Sequence, residues 1–314
     1  MESKDNETCI DENEDLYTFY FSVMMIEFIF ALPLNLTVLY VFIFKLKFWK
    51  AKNHSIFQFN LVLAEILLLI CLPVRAYYFQ LGERRSILVR FMLFLNRGAS
   101  IAFLTIISID RYIRVVHPRM NNPLKIQKQS ILICILVWIL LLPLTVPATL
   151  TSFEYCTPKT TADQVIIKDS AFTDTIREVV FFTPVLIASI ILVYCTIKIT
   201  KRLKEKTVGD TTKLRKAVVL VTLVVLVFSL CFWPSAISRL VLLIVRVTES
   251  LLLEKTAVEV YDGLMCISYL DCLLDPLIYC LSNTKFKQVY ISTYLPCLMK
   301  GQSAGQLRTC ESGE

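Results

Sequence analysis

The sequence predicts an all-α membrane protein, a seven-span helix bundle with a short amphipathic eighth helix, and three observations carry that prediction. Seven apolar runs are each long enough to cross a bilayer, since ~20 residues rising ~1.5 Å each cover the hydrocarbon core. Hydrophobic residues make up 56% of the 314-residue chain and mean hydropathy is +0.62, with charge gathered between the apolar runs. Lysines and arginines crowd the loops on one side, which places that side in the cytoplasm. The formal net charge of +7 is therefore read as a topology signal, and nucleic acid is not expected as a partner.

Taken in order, residues 1–16 form an acidic extracellular tail. It lacks a basic leader and a small-residue cleavage site, so the first apolar run is expected to insert as an uncleaved anchor. Asn6-Glu7-Thr8 is a glycosylation sequon suited to an extracellular tail, whereas Asn35-Leu36-Thr37 lies inside an apolar run where no transferase reaches. The seven-span domain covers 17–283. Its first helix is expected over 17–44, carrying Glu27 and Asn35 and ending at Lys45, Lys47, Lys50 and Lys52. The second, 56–78, contains Asn60, Glu65 and Cys71-Leu72-Pro73. The third spans 87–115. The fourth, 131–150, carries Trp138 and Pro143, and a polar, threonine-rich loop with Cys156 follows. The fifth, 175–199, contains Pro184 and runs into Lys198, Lys201, Arg202, Lys204 and Lys206. The sixth, 214–245, should kink at Pro234, which removes a backbone donor and crowds the preceding turn. The seventh, 258–281, holds Asp271 and Asp275-Pro276-Leu277-Ile278-Tyr279. Residues 284–314 supply the amphipathic helix, with Phe286, and a cytoplasmic tail.

The third run is interrupted twice. Arg97 lies deep inside it, about 16 Å below its outer end at 1.5 Å per residue, and Asp110-Arg111-Tyr112 closes its inner end. An intramembrane arginine costs at least ~2.5 kcal/mol, so it is retained with a partner or a job. Asp-Arg-Tyr alone is a weak signal. Joined in order to Asn35, Trp138, Cys231-Phe232-Trp233-Pro234 and Asp275-Pro276-Leu277-Ile278-Tyr279, it resembles the signature set of rhodopsin-like G-protein-coupled receptors.

The resemblance implies a latch in which Asp110 pairs with the adjacent Arg111, which swings toward the sixth helix and a heterotrimeric G protein on activation. Tyr112, Phe232, Pro234, Asp275, Pro276 and Tyr279 belong to that machinery. The blander alternative is that these charges only reach the headgroups, as Arg114 is expected to do. The resemblance also implies an allosteric sodium site built from Glu65, Asn96, Ser100, Asp271 and Asp275, with glutamate where the family usually has aspartate. Several carboxyls in low dielectric cannot all ionise without cations; the alternative is that some are protonated and bond across helices. No other cofactor is expected.

Two ligand classes are excluded by the same comparison. Leu93 stands where amine receptors carry aspartate, and Tyr269 stands where opsins carry their Schiff-base lysine. The cations Arg97, Arg239 and Arg75 point instead to an organic acid, because a guanidinium binds a carboxylate through two parallel hydrogen bonds. Leu93-Phe94-Leu95-Asn96-Arg97-Gly98-Ala99-Ser100, Phe103-Leu104-Thr105, Glu27-Phe28-Ile29-Phe30, Cys71-Leu72-Pro73 and Cys231-Phe232 resemble the hydroxycarboxylic acid, oxoeicosanoid and hydroxyeicosatetraenoic acid receptors. Arg75-Ala76-Tyr77-Tyr78 leans toward the oxoeicosanoid member. The implied ligand set is Arg97, Arg239, Tyr269, Arg75 and Leu93. The resemblance implies coupling of the inhibitory class, in a plasma-membrane receptor with its C-terminus in the cytoplasm. Arg97 has one competing reading, an internal salt bridge to Glu27 or Asp271. A receptor for a peptide or nucleotide, and an organic-anion transporter, are the alternatives. The transporter would require internal repeats and broken helices in matching halves.

The helix-3 cysteine usual in such receptors is Ser86 here, so Cys156 lacks its ordinary partner; Cys9 is the candidate, with Cys266 second. Cys71, Cys134, Cys195, Cys231, Cys272 and Cys280 are expected to be packing residues. Cys297 suits palmitoylation, anchoring the amphipathic helix to membrane lipids, with Cys310 a lesser candidate. With only His54 and His117, both at cytoplasmic ends, no histidine-based catalytic site can form in the outer cavity, and the chain is read as a non-enzyme.

Overall fold

The structure, a computed structural model, describes residues 14–47, 54–80, 87–117, 127–150, 163–205, 211–247, 251–282 and 284–294. Asn6, Cys9, Ser86, Cys156, Cys297 and Cys310 lie outside the described residues. The helices are α1 (Glu14–Tyr40), α2 (His54–Gln80), α3 (Ile87–Val116), α4 (Gln127–Leu150), α5 (Asp163–Glu205), α6 (Thr211–Cys231), α7 (Trp233–Val247), α8 (Leu251–Ser268), α9 (Asp271–Ser282) and α10 (Thr284–Tyr294). They supply seven candidate membrane spans, the sixth made of α6 and α7 and the seventh of α8 and α9. Among the described residues there is no strand.

Burial sorts the spans. In its most apolar window the third is 67% buried and the fourth 17%, so α3 is the axis of the bundle and α4 lies at its edge. On α4, Ile131, Leu132, Ile135, Leu136, Ile139 and Leu140 are exposed, while Ser130, Cys134 and Thr145 are buried. That is a helical stripe turned toward lipid. Lipid tails are as apolar as leucine, so close packing and interhelical hydrogen bonds hold such a bundle, each bond worth ~0.6 kcal/mol on average. Gly98 permits one close approach: a Cβ there would stand 2.7 Å from Leu141 Cδ2. Beside it, Trp138 Nε1 donates to Asn60 Oδ1 at 3.0 Å, joining α4 to α2. Asn35 Nδ2 donates to the Cys272 carbonyl at 2.9 Å, and Tyr20 Oη to the Glu259 carbonyl at 2.9 Å, joining α1 to the seventh span.

The expected spans differ from the observed helices in the first, fifth and seventh, while the sixth breaks where it was expected to. The first span ends in a π-helical turn, Val41–Lys45, with Leu46 N–H reaching back to the Val41 carbonyl at 2.9 Å. This turn sets Phe42 against Phe286 of α10, centroids 4.9 Å apart. The fifth helix, expected over 175–199, runs from Asp163 to Glu205. Hydropathy marks where a helix crosses lipid, and helix formers such as lysine, arginine and glutamate carry it further into water. The sixth is interrupted at Phe232, as Pro234 requires, with hydrogen bonding regular on both sides. The seventh, expected to be continuous, breaks at Tyr269-Leu270. Tyr269, Leu270, Cys272 and Leu273 there bond to carbonyls three residues back, a tightened turn. In the first turn of α9, Asp271 Oδ1 accepts the Cys272 N–H at 2.8 Å.

Candidate functional site

Arg97 projects from α3 toward the Pro234 kink. Nη1 donates to Ser235 Oγ at 2.9 Å and Nη2 to the Phe232 carbonyl at 3.3 Å, with Met265 Sδ 4.0 Å from Nη1. Its Cζ lies 4.4 Å from the Phe181 ring centroid and 5.4 Å from that of Phe232. The side chain is 8% exposed and Nε has no hydrogen-bond partner. Among the described residues no carboxylate lies within ion-pairing distance of Arg97, so the salt bridge to Glu27 or Asp271 is not formed. The charge is held by neutral acceptors and aromatic faces, an arrangement that leaves its attraction for an anion intact.

The other two arginines are placed differently. Arg239, expected at a solvated outer mouth, is half-buried on α7. It is bound by Glu178 of α5, with Nε 3.2 Å from Oε2 and Nη2 donating to Oε1. Its Cζ lies 5.4 Å over the Tyr261 ring. Arg75 of α2 lies 5.5 Å over the Tyr269 ring and has Asp262 as a charged neighbour. Leu93 and Tyr269 are buried in one apolar cluster with Leu69, Leu72 and Cys266. The Tyr269 hydroxyl has no hydrogen-bond partner. Cys266, considered as a partner for Cys156, is a buried free thiol. Tyr261 stands among the three guanidiniums, with Arg239, Arg97 and Arg75 all charged neighbours. Sequence reasoning missed Phe181, Glu178, Ser235 and Tyr261. Only Glu178 carried a signal, an acid at the outer end of an apolar run facing the level of Arg239.

One layer inward lie the residues expected to hold sodium. Ser100 Oγ donates to Asn96 Oδ1 at 3.3 Å, and Asn96 Nδ2 donates to the Ala64 carbonyl at 3.1 Å. Glu65 and Asp275 are adjacent and fully buried. Tyr279 Oη donates to Glu65 Oε1 at 3.0 Å, a link between the acid cluster and the inner machinery that the sequence did not indicate. Glu65 and Asp275 face each other as a carboxyl pair placed to share a proton, and Glu65 Oε2 and the Asp275 oxygens have no other hydrogen-bond partner. These hard oxygens fit a small cation. No set of three or more acidic, histidine or cysteine side chains among the described residues converges on one metal position.

At the inner end, Asp110 does not settle its charge on the next residue alone. Arg114 Nε lies 2.8 and 2.7 Å from the two Asp110 oxygens. Side chains four apart share a helix face, whereas adjacent ones diverge. Arg114, expected to reach the headgroups, is therefore the ion-pair partner, its Nε–H shared between both oxygens, and Arg111 keeps Asp110 as a charged neighbour. Tyr112 packs on Ile199, Ala217 and Val221, and its hydroxyl is 3.5 Å from that of Tyr194. The inner ends of spans three, five and six thus meet at the Asp-Arg-Tyr motif.

A helix bundle of seven spans, with a buried arginine under the outer mouth and this motif at the inner end, is the architecture of a receptor that carries a signal across a membrane. Residues 34–279 match the family described as 7 transmembrane receptor (rhodopsin family), and the chain belongs to that family of G-protein-coupled receptors. It is a receptor and not an enzyme or transporter. The chain is 32% identical over 280 residues to the 12-(S)-hydroxy-5,8,10,14-eicosatetraenoic acid receptor of Mus musculus, covering 86% of each chain. It is 31% identical to hydroxycarboxylic acid receptor 3 of Homo sapiens, over 88% of this chain and 73% of that one. Lysophosphatidic acid receptor 6 of Gallus gallus is 28% identical, over 86% of this chain and 92% of the relative.

Proposed function

We propose that this receptor binds an organic acid, a hydroxycarboxylic acid or an oxygenated fatty acid, with Arg97 as the carboxylate clamp. It signals through a heterotrimeric G protein of the inhibitory class at the plasma membrane, with its N-terminus outside. The observation that carries this reading is the state of Arg97: buried, wrapped by Phe181 and Phe232, and, among the described residues, with no carboxylate within ion-pairing distance. A guanidinium so placed is stabilised by a ligand that brings its own anion. The apolar walls around it, with Leu93 and Tyr269 nearby, suit the hydrocarbon of such an acid. The names of the two hydroxy-acid receptors above agree with this chemistry.

In the proposed mechanism the carboxylate takes over the two Arg97 donors now given to Ser235 and the Phe232 carbonyl. Both acceptors flank Pro234, so their release frees the kink of the sixth span. The inner ends of spans three, five and six then separate at Arg111 and Tyr112 and admit the G protein. A sodium ion, if bound, would be held by Glu65 and Asp275, with Asn96, Ser100 and Asp271 around it, and would supply positive charge that favours the resting packing. The test is a cellular screen of carboxylic acids, from lactate to oxygenated arachidonate, read by G-protein dissociation. Activation by one chain-length class of acid is expected. Silence toward every acid beside a response to a neutral or cationic agonist would overturn the reading.

A further inference from the structure

We propose that Glu178 is a charge-selecting residue of this site: by holding Arg239 it withdraws a second guanidinium from the ligand and restricts the pocket to acids carrying one negative charge. The inference rests on the carboxylate reading of Arg97 given above.

The three arginines of the outer half are not equivalent. Arg239 is engaged by Glu178 through two nitrogens, with side-chain exposures of 13% and 18%. Arg75 has Asp262 as a charged neighbour, and Asp262 itself is 7% exposed and accepts a hydrogen bond from Tyr17 at 3.2 Å. Arg97 has neutral hydrogen-bond partners, and its Nε has none. Asp271 is a charged neighbour of Arg97 but has no hydrogen bond to it, so a ligand carboxylate can take the Arg97 donors directly. A second negative group directed at Arg239 meets a cation already neutralised, beside a carboxylate that repels it. To bind there it must displace Glu178, leaving that carboxylate partly buried without its partner, which is costly. Selectivity thus comes from a repulsive element as well as an attractive one. The same pair also joins α5 to α7, so a purely structural role must be told apart from a selective one.

The experiment uses full-length receptor in cells and three acid pairs matched in chain length: 2-hydroxybutanoate with malate, octanoate with octanedioate, and hexadecanoate with hexadecanedioate. G-protein dissociation is measured for the native receptor, Glu178→Gln, and Glu178→Gln combined with Arg239→Gln, at equal surface level. In the responsive chain-length class the native receptor should prefer the monoacid by about tenfold or more. Glu178→Gln should shrink or invert that ratio by freeing Arg239, and the double variant should restore the preference. If the variants express poorly, the exchange Glu178→Arg with Arg239→Glu, which rebuilds the pair, should keep the monoacid preference. An unchanged ratio in Glu178→Gln, or both acids shifted alike, overturns the proposal while the Arg97 reading stands. If no acid in any pair activates native or variant receptors while another agonist does, the carboxylate reading itself fails, and this one with it.

Discussion

Ser235→Ala isolates the exchange on which signalling is proposed to depend. In the structure the Ser235 hydroxyl accepts a hydrogen bond from Arg97 at 2.9 Å and donates to the Phe232 carbonyl at 3.0 Å. A hydrogen bond to a charged group contributes ~1.5–3 kcal/mol. The lower figure applies, because Arg97 keeps the Phe232 carbonyl and two aromatic faces. If a ligand carboxylate replaces the serine, the substitution destabilises the resting state alone. About 1.5 kcal/mol corresponds to a gain in acid potency of about tenfold. Ligand-independent signalling should rise as well, since the brace on the Pro234 kink is weakened. The assay is G-protein dissociation against acid concentration at matched surface level. Unchanged potency would mean the hydroxyl is not exchanged for ligand. A loss of potency would mean that Ser235 positions the guanidinium for the ligand. Either result refutes the exchange.

Three further outcomes are expected. Arg111→Ala should abolish ligand-driven G-protein dissociation while surface level and ligand binding persist; normal dissociation would remove Arg111 from the latch. Sodium should lower agonist affinity relative to a bulky organic cation, because linkage requires that a ligand favouring the active state expel an ion favouring the resting one; Asp275→Asn or Glu65→Gln should weaken the effect, and indifference to the cation in the native receptor would rule the site out. Gly263→Ala should reduce surface level and thermal stability. A Cβ there would lie 2.6 Å from the Tyr20 hydroxyl, which is fixed by its bond to the Glu259 carbonyl and by an edge-to-face contact with Tyr17. Recovery of stability by Tyr20→Leu in that background, which removes the ring carbons at 2.9 and 3.0 Å as well as the hydroxyl, would confirm the clash as its cause.

The spans were legible because lipid imposes a length and polarity that few other sequences have. Their ends were not. The fifth helix begins in a polar stretch at Asp163 and ends in a basic one at Glu205, where helix propensity and not hydropathy decides. Pro234 announced its kink, whereas the break at Tyr269-Leu270, where hydrogen bonds tighten to carbonyls three residues back, has no proline or glycine at it. Arg97, Arg75 and Arg239 stood out as charges in apolar surroundings. What each one faces depends on register between helices far apart in sequence. Hence neither Glu178, 61 residues from Arg239, nor Ser235 was singled out from the sequence. The Asp110–Arg114 pair was available from helical spacing alone and was obscured by the adjacency of Arg111.

The most direct test of the central claim is acid potency in Arg97→Ala and Arg97→Lys, measured together at equal surface level. Removing a shielded, bidentate charge contact typically costs ~3–5 kcal/mol, so Arg97→Ala should lose a few hundred-fold or more in potency. Arg97→Lys should recover part of it, because an ammonium keeps the charge without the planar fork. Full surface expression of Arg97→Ala with unchanged acid potency would contradict the claim.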